Sequence, residues 1–69
     1  MRFDIRLKEL RKEKQLSQEE LANYTAIGQS SISAWERGER QPLASQLIIL
    51  ATFFNCSVDY ILGLKDTKN

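Results

Sequence analysis

The chain has 69 residues, of which 42% are hydrophobic, and ten lysines and arginines against nine acidic residues give it a formal net charge of +1. This length favours a single domain with a modest core. One cysteine and no histidine exclude a disulfide framework and a zinc site of cysteine and histidine, and no apolar run reaches the ~20 residues of a membrane-spanning helix.

Two short helices are predicted at the start of the chain. The first covers residues 3 to 14, because apolar residues recur there at three- and four-residue spacing: Phe3, Leu7 and Leu10. The second begins after Ser17, since Glu20 three residues later completes a capping box. A turn predicted at residues 25 to 27 separates it from the next helix.

The third predicted helix, from Gln29 to Arg37, has two contrasting faces on a helical wheel. Its inner face carries Ile32 and Trp35 together with Glu36. Its outer face carries small side chains, so the helix backbone can sit deep in the major groove of DNA. An ordinary surface helix with a solvated face is the alternative. The residues on or beside the outer face are Gln29, Ser30, Ser31, Ser33, Ala34 and Arg37.

The side chains of this outer face suit the edges of bases. A glutamine such as Gln29 pairs bidentately with adenine, and the hydroxyl groups of Ser30 and Ser33 suit several bases. The methyl group of Ala34 can touch a thymine methyl. Arg37 can reach either a guanine or a phosphate. We therefore assign these residues to base readout.

Phosphate contacts need hydrogen-bond donors at fixed positions rather than a high net charge. The start of the second helix offers backbone N–H groups and the amide of Gln18. The loop after the third helix offers Arg40 and Gln41. A plain first-turn residue is the alternative for Gln18, and a solvated loop charge is the alternative for Arg40.

The last two predicted helices carry more apolar residues than a domain of this size can bury. The fourth spans residues 44 to 54, with an inward stripe of Leu43, Leu47, Leu50, Ala51 and Phe54. The fifth begins after Ser57 and ends near Gly63. Because an exposed apolar patch usually marks an interface, we assign part of the surplus to a symmetric dimer: Ile49, Phe53, Tyr60 and Leu64. The alternative is that the patch caps the small core.

Four segments resemble, in this order and at this spacing, the helix-turn-helix family of phage lambda-type repressors and Cro proteins, also called the XRE family. They span nearly the whole chain and read RLKELR (6–11), LSQEELA (16–22), SISAWERG (31–38) and FFNCSVDYILG (53–63). The resemblance implies an all-α, compact five-helix fold with the helix-turn-helix at helices two and three. It also implies binding to double-stranded operator DNA, commonly as a two-fold homodimer.

The same resemblance implies roles for individual residues. The positions that read bases in relatives match Gln29, Ser30 and Ala34. The positions that lie near phosphates match Gln18, Ser31, Arg37 and Arg40. An internal ion pair is also implied between Arg11 and Glu36, and the helical wheel agrees, because a carboxylate on the packing face needs a partner.

Two departures from the family pattern limit what can be carried over. Ala26 stands where the turn often has a glycine, and Ala34 stands where a long polar side chain is frequent. Because of Ala34, the base preferences of relatives do not transfer to this chain. We expect readout to rest more on Gln29, Arg37 and DNA shape.

From the sequence we predict a helix-turn-helix domain at residues 1–64 and a flexible polar tail at residues 65–69. We expect a cytoplasmic, nucleoid-associated repressor of phage or mobile-element type, which binds a palindromic operator as a homodimer. The alternative is an antitoxin-like module that uses the same fold to bind a protein partner. We find no catalytic constellation, and we expect no enzyme activity, metal or cofactor.

Overall fold

Five helices build the part of the chain that the computed structural model describes, residues 2–68. In chain order they are α1 (Phe3–Glu13), α2 (Gln18–Thr25), α3 (Gln29–Glu36), α4 (Ala44–Phe54) and α5 (Val58–Ile61). No strand occurs among these residues, so the predicted all-α, five-helix fold is confirmed. Between residues 2 and 68, none of the helices is long and apolar enough to span a bilayer.

One apolar core joins all five helices, and α3 lies against both α1 and α2. The rings of Phe3 on α1 and Trp35 on α3 meet edge to face, with their centroids 6.1 Å apart. Packing on two neighbours fixes the orientation of α3 and leaves its remaining side free. The buried cluster comprises Phe3, Leu7, Leu10, Leu21, Ile27, Ile32, Trp35, Leu50, Phe54, Tyr60 and Ile61.

The start of α2 has the predicted capping box. The Glu20 backbone N–H donates to Ser17 Oγ at 3.0 Å, and the Ser17 N–H donates to Glu20 Oε1 at 2.8 Å. Backbone N–H groups at the start of a helix have no acceptor in a preceding turn. The two side chains accept from these N–H groups instead, which fixes where α2 begins. Because α2 leads into the turn before α3, this cap also helps to place α3.

The turn between α2 and α3 contains a strained residue. Ala26 adopts a left-handed backbone with φ of 59°, a conformation that favours glycine. We expect Ala26→Gly to raise the free energy of unfolding by about 0.5–1 kcal/mol, because the relief of the Cβ clash exceeds the added freedom of the unfolded chain. Ala22→Gly is the control, since the same change inside α2 should lower stability by about 1 kcal/mol. Urea titrations measure the free energy of unfolding of both variants and of the wild-type chain. A lower value for Ala26→Gly than for the wild-type chain would contradict the prediction.

Arg6 joins α1 to α5 through a buried contact that the sequence interpretation did not include. Its guanidinium lies 3.7 Å from the centroid of the Tyr60 ring, and Nη1 donates to the Tyr60 carbonyl oxygen at 2.8 Å. Tyr60 is consequently only 7% exposed. The assignment of Tyr60 to a dimer surface is therefore wrong, because its ring is covered by Arg6 within the same chain.

Leu43 is a second correction. It precedes α4 as the N-cap residue, with an extended backbone, and it is 67% exposed. The helical stripe that predicted an inward position does not apply outside the helix, so that prediction is wrong for Leu43. Leu50 and Phe54 are buried as expected.

The chain after α5 returns towards the other helices. The Lys68 carbonyl oxygen accepts from the Ser57 N–H at 2.7 Å, and Lys68 Nζ lies 3.4 Å from Glu13 Oε1. The predicted division into a domain (1–64) and a tail (65–69) stays a prediction. Its outermost residues, Met1 and Asn69, lie outside the described part of the chain.

Candidate nucleic-acid interface

The free side of α3 carries most of the residues assigned to base readout. Gln29 and Ser30 are exposed in its first turn, and Ser33 is half-buried one turn later. On the opposite side, Ile32 and Trp35 are almost completely buried in the core. The helix therefore exposes a short polar surface to solvent, and the packing of its other side in the core holds the helix backbone in place.

Ala34 does not belong to that surface. Its side chain is 5% exposed and lies among the buried residues of the domain, so its assignment to base readout is wrong. The helical wheel allowed for one packing face, whereas α3 packs against both α1 and α2 and buries a wider arc. A side chain this buried offers almost no surface to a thymine methyl.

A well-defined end of α3 places the residues that follow it. The Gly38 N–H donates to the Trp35 carbonyl oxygen at 3.0 Å, and the Glu39 N–H donates to the Ala34 carbonyl oxygen at 2.9 Å. This is the Schellman pattern, which needs a left-handed residue at its turn, and Gly38 supplies it with φ of 74°. A Cβ at Gly38 would also lie 3.1 Å from Asp4 Oδ2. The chain after α3 is therefore turned back beside the helix.

Arg37 is exposed at this end and is held by two neighbours. Its Nε and Nη2 donate to the Glu39 carboxylate at 2.8 and 3.1 Å, and its Nη1 donates to Ser33 Oγ. The hydrogen bond from Arg37 lowers the pKa of Glu39, so the carboxylate stays charged at neutral pH. Both side chains remain more than half exposed. The arginine is thus oriented while staying accessible to a partner.

Beneath the interface, Arg11 and Glu36 form the ion pair that the resemblance implies. Nε and Nη2 of Arg11 donate to the two carboxylate oxygens of Glu36 at 2.7 and 2.9 Å. The side chains are only 11% and 4% exposed. Hydrogen bonding to Glu36 raises the pKa of Arg11, although burial opposes it. The pair ties α1 to the inner face of α3.

The same pair reaches the start of α2. Nη1 of Arg11 donates to the Leu16 carbonyl oxygen at 2.8 Å, and Gln18 Nε2 donates to Glu36 Oε1 at 3.2 Å. Gln18 is half-buried, and one of its two amide N–H groups is engaged in this way. The ion pair therefore orients the side chain that we assigned to a phosphate.

The other residues assigned to phosphates lie together. Ser31, Arg40 and Gln41 line one open cavity of about 250 Å³ beside Trp35, at the start of α4. The sequence interpretation missed a further donor there, Gln46. Its Oε1 accepts from the Leu43 N–H at 2.8 Å, which leaves its amide N–H groups as donors. A glutamine three residues after an N-cap, as in a capping box, was the available signal.

The remaining residues assigned to a dimer surface differ in exposure. Ile49 is 42% exposed on α4 and Leu64 is 73% exposed after α5. Phe53 is half-buried, because Tyr24 stacks on it with ring centroids 5.8 Å apart. The exposed Ile48 extends the apolar surface around Ile49.

Comparison with known proteins agrees with this architecture. A family model described as helix-turn-helix matches residues 7–61. The chain is 44% identical over 61 residues to YobD of Bacillus subtilis, an uncharacterised transcriptional regulator of helix-turn-helix type. That alignment covers 88% of this chain and 54% of YobD, and the chain spans about half the length of the curated relatives it matches.

Two solved structures are similar over nearly their whole length. The restriction-modification controller protein C.AhdI of Aeromonas hydrophila has a TM-score of 0.78 at 36% identity, covering 86% of this chain and 89% of its own. The DNA-binding domain of the P22 C2 repressor has a TM-score of 0.82 at 30% identity, and the match covers 97% of this chain and 91% of that domain. The chain therefore belongs to the XRE type of the helix-turn-helix family.

Proposed function

We propose that this chain is a DNA-binding transcriptional regulator, a repressor of the kind carried by phages and mobile elements. It binds DNA sequence-specifically through the free side of α3. The observation that carries this proposal is the exposure of Gln29 and Ser30 on a helix packed against α1 and α2. A helix held in this way presents its side chains rigidly to base edges in the major groove.

Donors on α3 and in the segments that precede and follow it support this orientation. Gln18 comes from α2, whereas Arg40 and Gln41 follow α3 and line a cavity together with Ser31 of α3. Phosphates of the two strands flank the major groove, so donors placed on either side of a reading helix fix its position on the duplex. Net charge is not required for this purpose.

A homodimer on a palindromic operator is the second part of the proposal. One short helix contacts too few bases for high specificity, whereas two reading helices about 34 Å apart read two half-sites on one side of the duplex. The exposed Ile49 and Leu64 supply apolar surface for such a contact. Phe53 adds a partly covered ring beside Ile49.

We propose that the chain regulates transcription by occupying a promoter, as expected of a repressor. One relative is named a repressor and another a controller of restriction and modification. A regulator of this kind works where the chromosome is, in the bacterial cytoplasm and on the nucleoid. No catalytic step is part of this function.

Selection of duplexes from a random library tests this function. We expect enrichment of a palindromic motif, and at ~0.15 M salt the chain should bind a duplex with this motif more tightly than a scrambled duplex. A plot of log affinity against log salt concentration should fall with a slope of about 0.9 for each phosphate contacted. Arg40→Ala should weaken all duplexes alike and reduce that slope by about 0.9. Enrichment of no motif, together with co-purification of a tightly bound protein, would favour the antitoxin-like alternative instead.

A further inference from the structure

The guanidinium of Arg37 points back along α3 rather than away from its end. It donates to Ser33 Oγ, one helical turn earlier. Residues 29, 33 and 37 are spaced by four and share one side of a helix, so the guanidinium lies on the same side of α3 as Gln29. Helical side chains lean towards the N-terminus, which favours this direction. The head group thus joins the polar surface that faces the major groove.

The bonds that Arg37 makes within the described residues leave two N–H groups of its guanidinium unused. Arginine has five N–H groups, and the partners among the described residues occupy one each on Nε, Nη1 and Nη2. The carboxylate of Glu39 takes the Nε–Nη2 edge as a bidentate pair. One N–H on each of Nη1 and Nη2 remains, and we call these two remaining donors the fork. Such a fork matches the O6 and N7 acceptors of guanine.

We propose that Glu39 is a positioning residue for specificity, which makes Arg37 a reader of guanine rather than a clamp on phosphate. The inference rests on the proposed function of α3. The Schellman turn at Gly38 fixes the backbone of Glu39, so its carboxylate has a defined place beside the arginine. Guanidinium and carboxylate then act as one oriented unit.

The charge of Glu39 supplies the discrimination. A carboxylate next to Arg37 repels a phosphate that approaches the same guanidinium, so contact with the DNA backbone is weakened for every sequence. A guanine edge is neutral overall and approaches the free fork without meeting that repulsion to the same degree. Preorganisation by Ser33 and Glu39 also reduces the side-chain entropy lost on binding.

The test compares the wild-type chain with Glu39→Gln, Arg37→Ala and the double variant on two probes. One probe is a duplex that the wild-type chain selects from a random library, and the other is a scrambled duplex of the same composition. Glu13→Gln is the control, because Glu13 is an exposed glutamate paired with Lys68 and its replacement removes the same charge.

We expect Glu39→Gln to reduce the ratio of selected-duplex to scrambled-duplex affinity about tenfold. On the scrambled duplex it should steepen the log–log salt dependence by about 0.9. Both effects should vanish when Arg37 is alanine, and Glu13→Gln should show neither. Replacing guanines one at a time by 7-deazaguanine, which lacks N7, should weaken wild-type binding about tenfold at one position of each half-site and leave Arg37→Ala insensitive there.

Tighter binding of both probes by Glu39→Gln, at an unchanged ratio, would overturn the inference and leave Glu39 a simple counter-charge. Absence of any guanine whose N7 matters to the wild-type chain would also overturn it. Unchanged binding by Arg37→Ala would remove Arg37 from the interface. If the wild-type chain preferred no duplex at all, the proposed function itself would fail, and this inference with it.

Discussion

Replacing Glu36 by alanine is expected to lower the free energy of unfolding by about 3–5 kcal/mol, because the change leaves the guanidinium of Arg11 buried without its partner. The pair is bidentate and nearly enclosed, and Glu36 also accepts from Gln18. Domains have only about 5–15 kcal/mol of stability in total. For a chain of this length the melting temperature should fall by more than about 12 °C.

Glu39→Ala is the matched control for this experiment. It removes a carboxylate from another arginine pair close by in the chain, but both members of that pair are exposed. Exposed ion pairs contribute little to stability, so its melting temperature should stay near that of the wild-type chain. Thermal melts followed by circular dichroism give both values. Equal melting temperatures for the two variants would show that the buried pair does not hold α1 to α3.

Ile49→Glu is expected to reduce affinity for the selected duplex by roughly 10²–10⁴-fold, the range over which linking two binding units raises apparent affinity. Ile49 is 42% exposed on α4, so a glutamate there is tolerated by the folded chain. In a dimer contact, however, the same carboxylate would be buried without a partner. Sedimentation should show a monomer, and thermal melts should show a folded domain.

Ile5→Glu is the control, since Ile5 is an exposed isoleucine on α1 and undergoes the same change. We expect it to bind the selected duplex as the wild-type chain does. A wild-type chain that sediments as a monomer at tens of micromolar, on the order of the concentrations at which weak dimers form, would require another role for the apolar surface. Equal loss of affinity in both variants would also contradict a contact centred on Ile49.

Local chemistry explains why much of the fold could be predicted from the sequence. Ser17 and Glu20 satisfy each other's backbone N–H groups, so a short motif fixes where α2 begins. Gly38 ends α3 for a similarly local reason, since its positive φ is strained for other residues. The burial of Glu36 followed from its position beside Trp35 on one face of the helix. These features depend on residues close together in the chain.

The errors arose where distant parts of the chain meet. Ala34 is buried because α3 has two neighbours, which a wheel drawn for a single helix cannot show. Tyr60 is covered by Arg6, a residue from the opposite end of the chain. Arg6 did carry a signal, because it shares the three- and four-residue spacing of Phe3 and Leu10 on the buried face of α1. A charged residue on that face indicates a specific partner inside the domain.

The sequence predicted which kinds of residue form the site better than it predicted how their side chains are arranged. The sequence indicated that Arg37 could reach guanine or phosphate, but not that Ser33 and Glu39 hold it along the helix. That information lies in the path of the chain after Gly38. Gln46 was missed although its spacing from Leu43 suits a capping box, because its place beside Arg40 depends on the path of the chain from Gly38 into α4.

The most direct test of whether the free side of α3 reads bases is to repeat the selection from a random library with Gln29→Ala. Gln29 is exposed, so the variant should fold like the wild-type chain. We expect the selected motif to lose its preference at one symmetric pair of positions, while the half-site spacing stays the same. An unchanged motif from Gln29→Ala, at unchanged affinity, would show that this side of α3 does not face the bases.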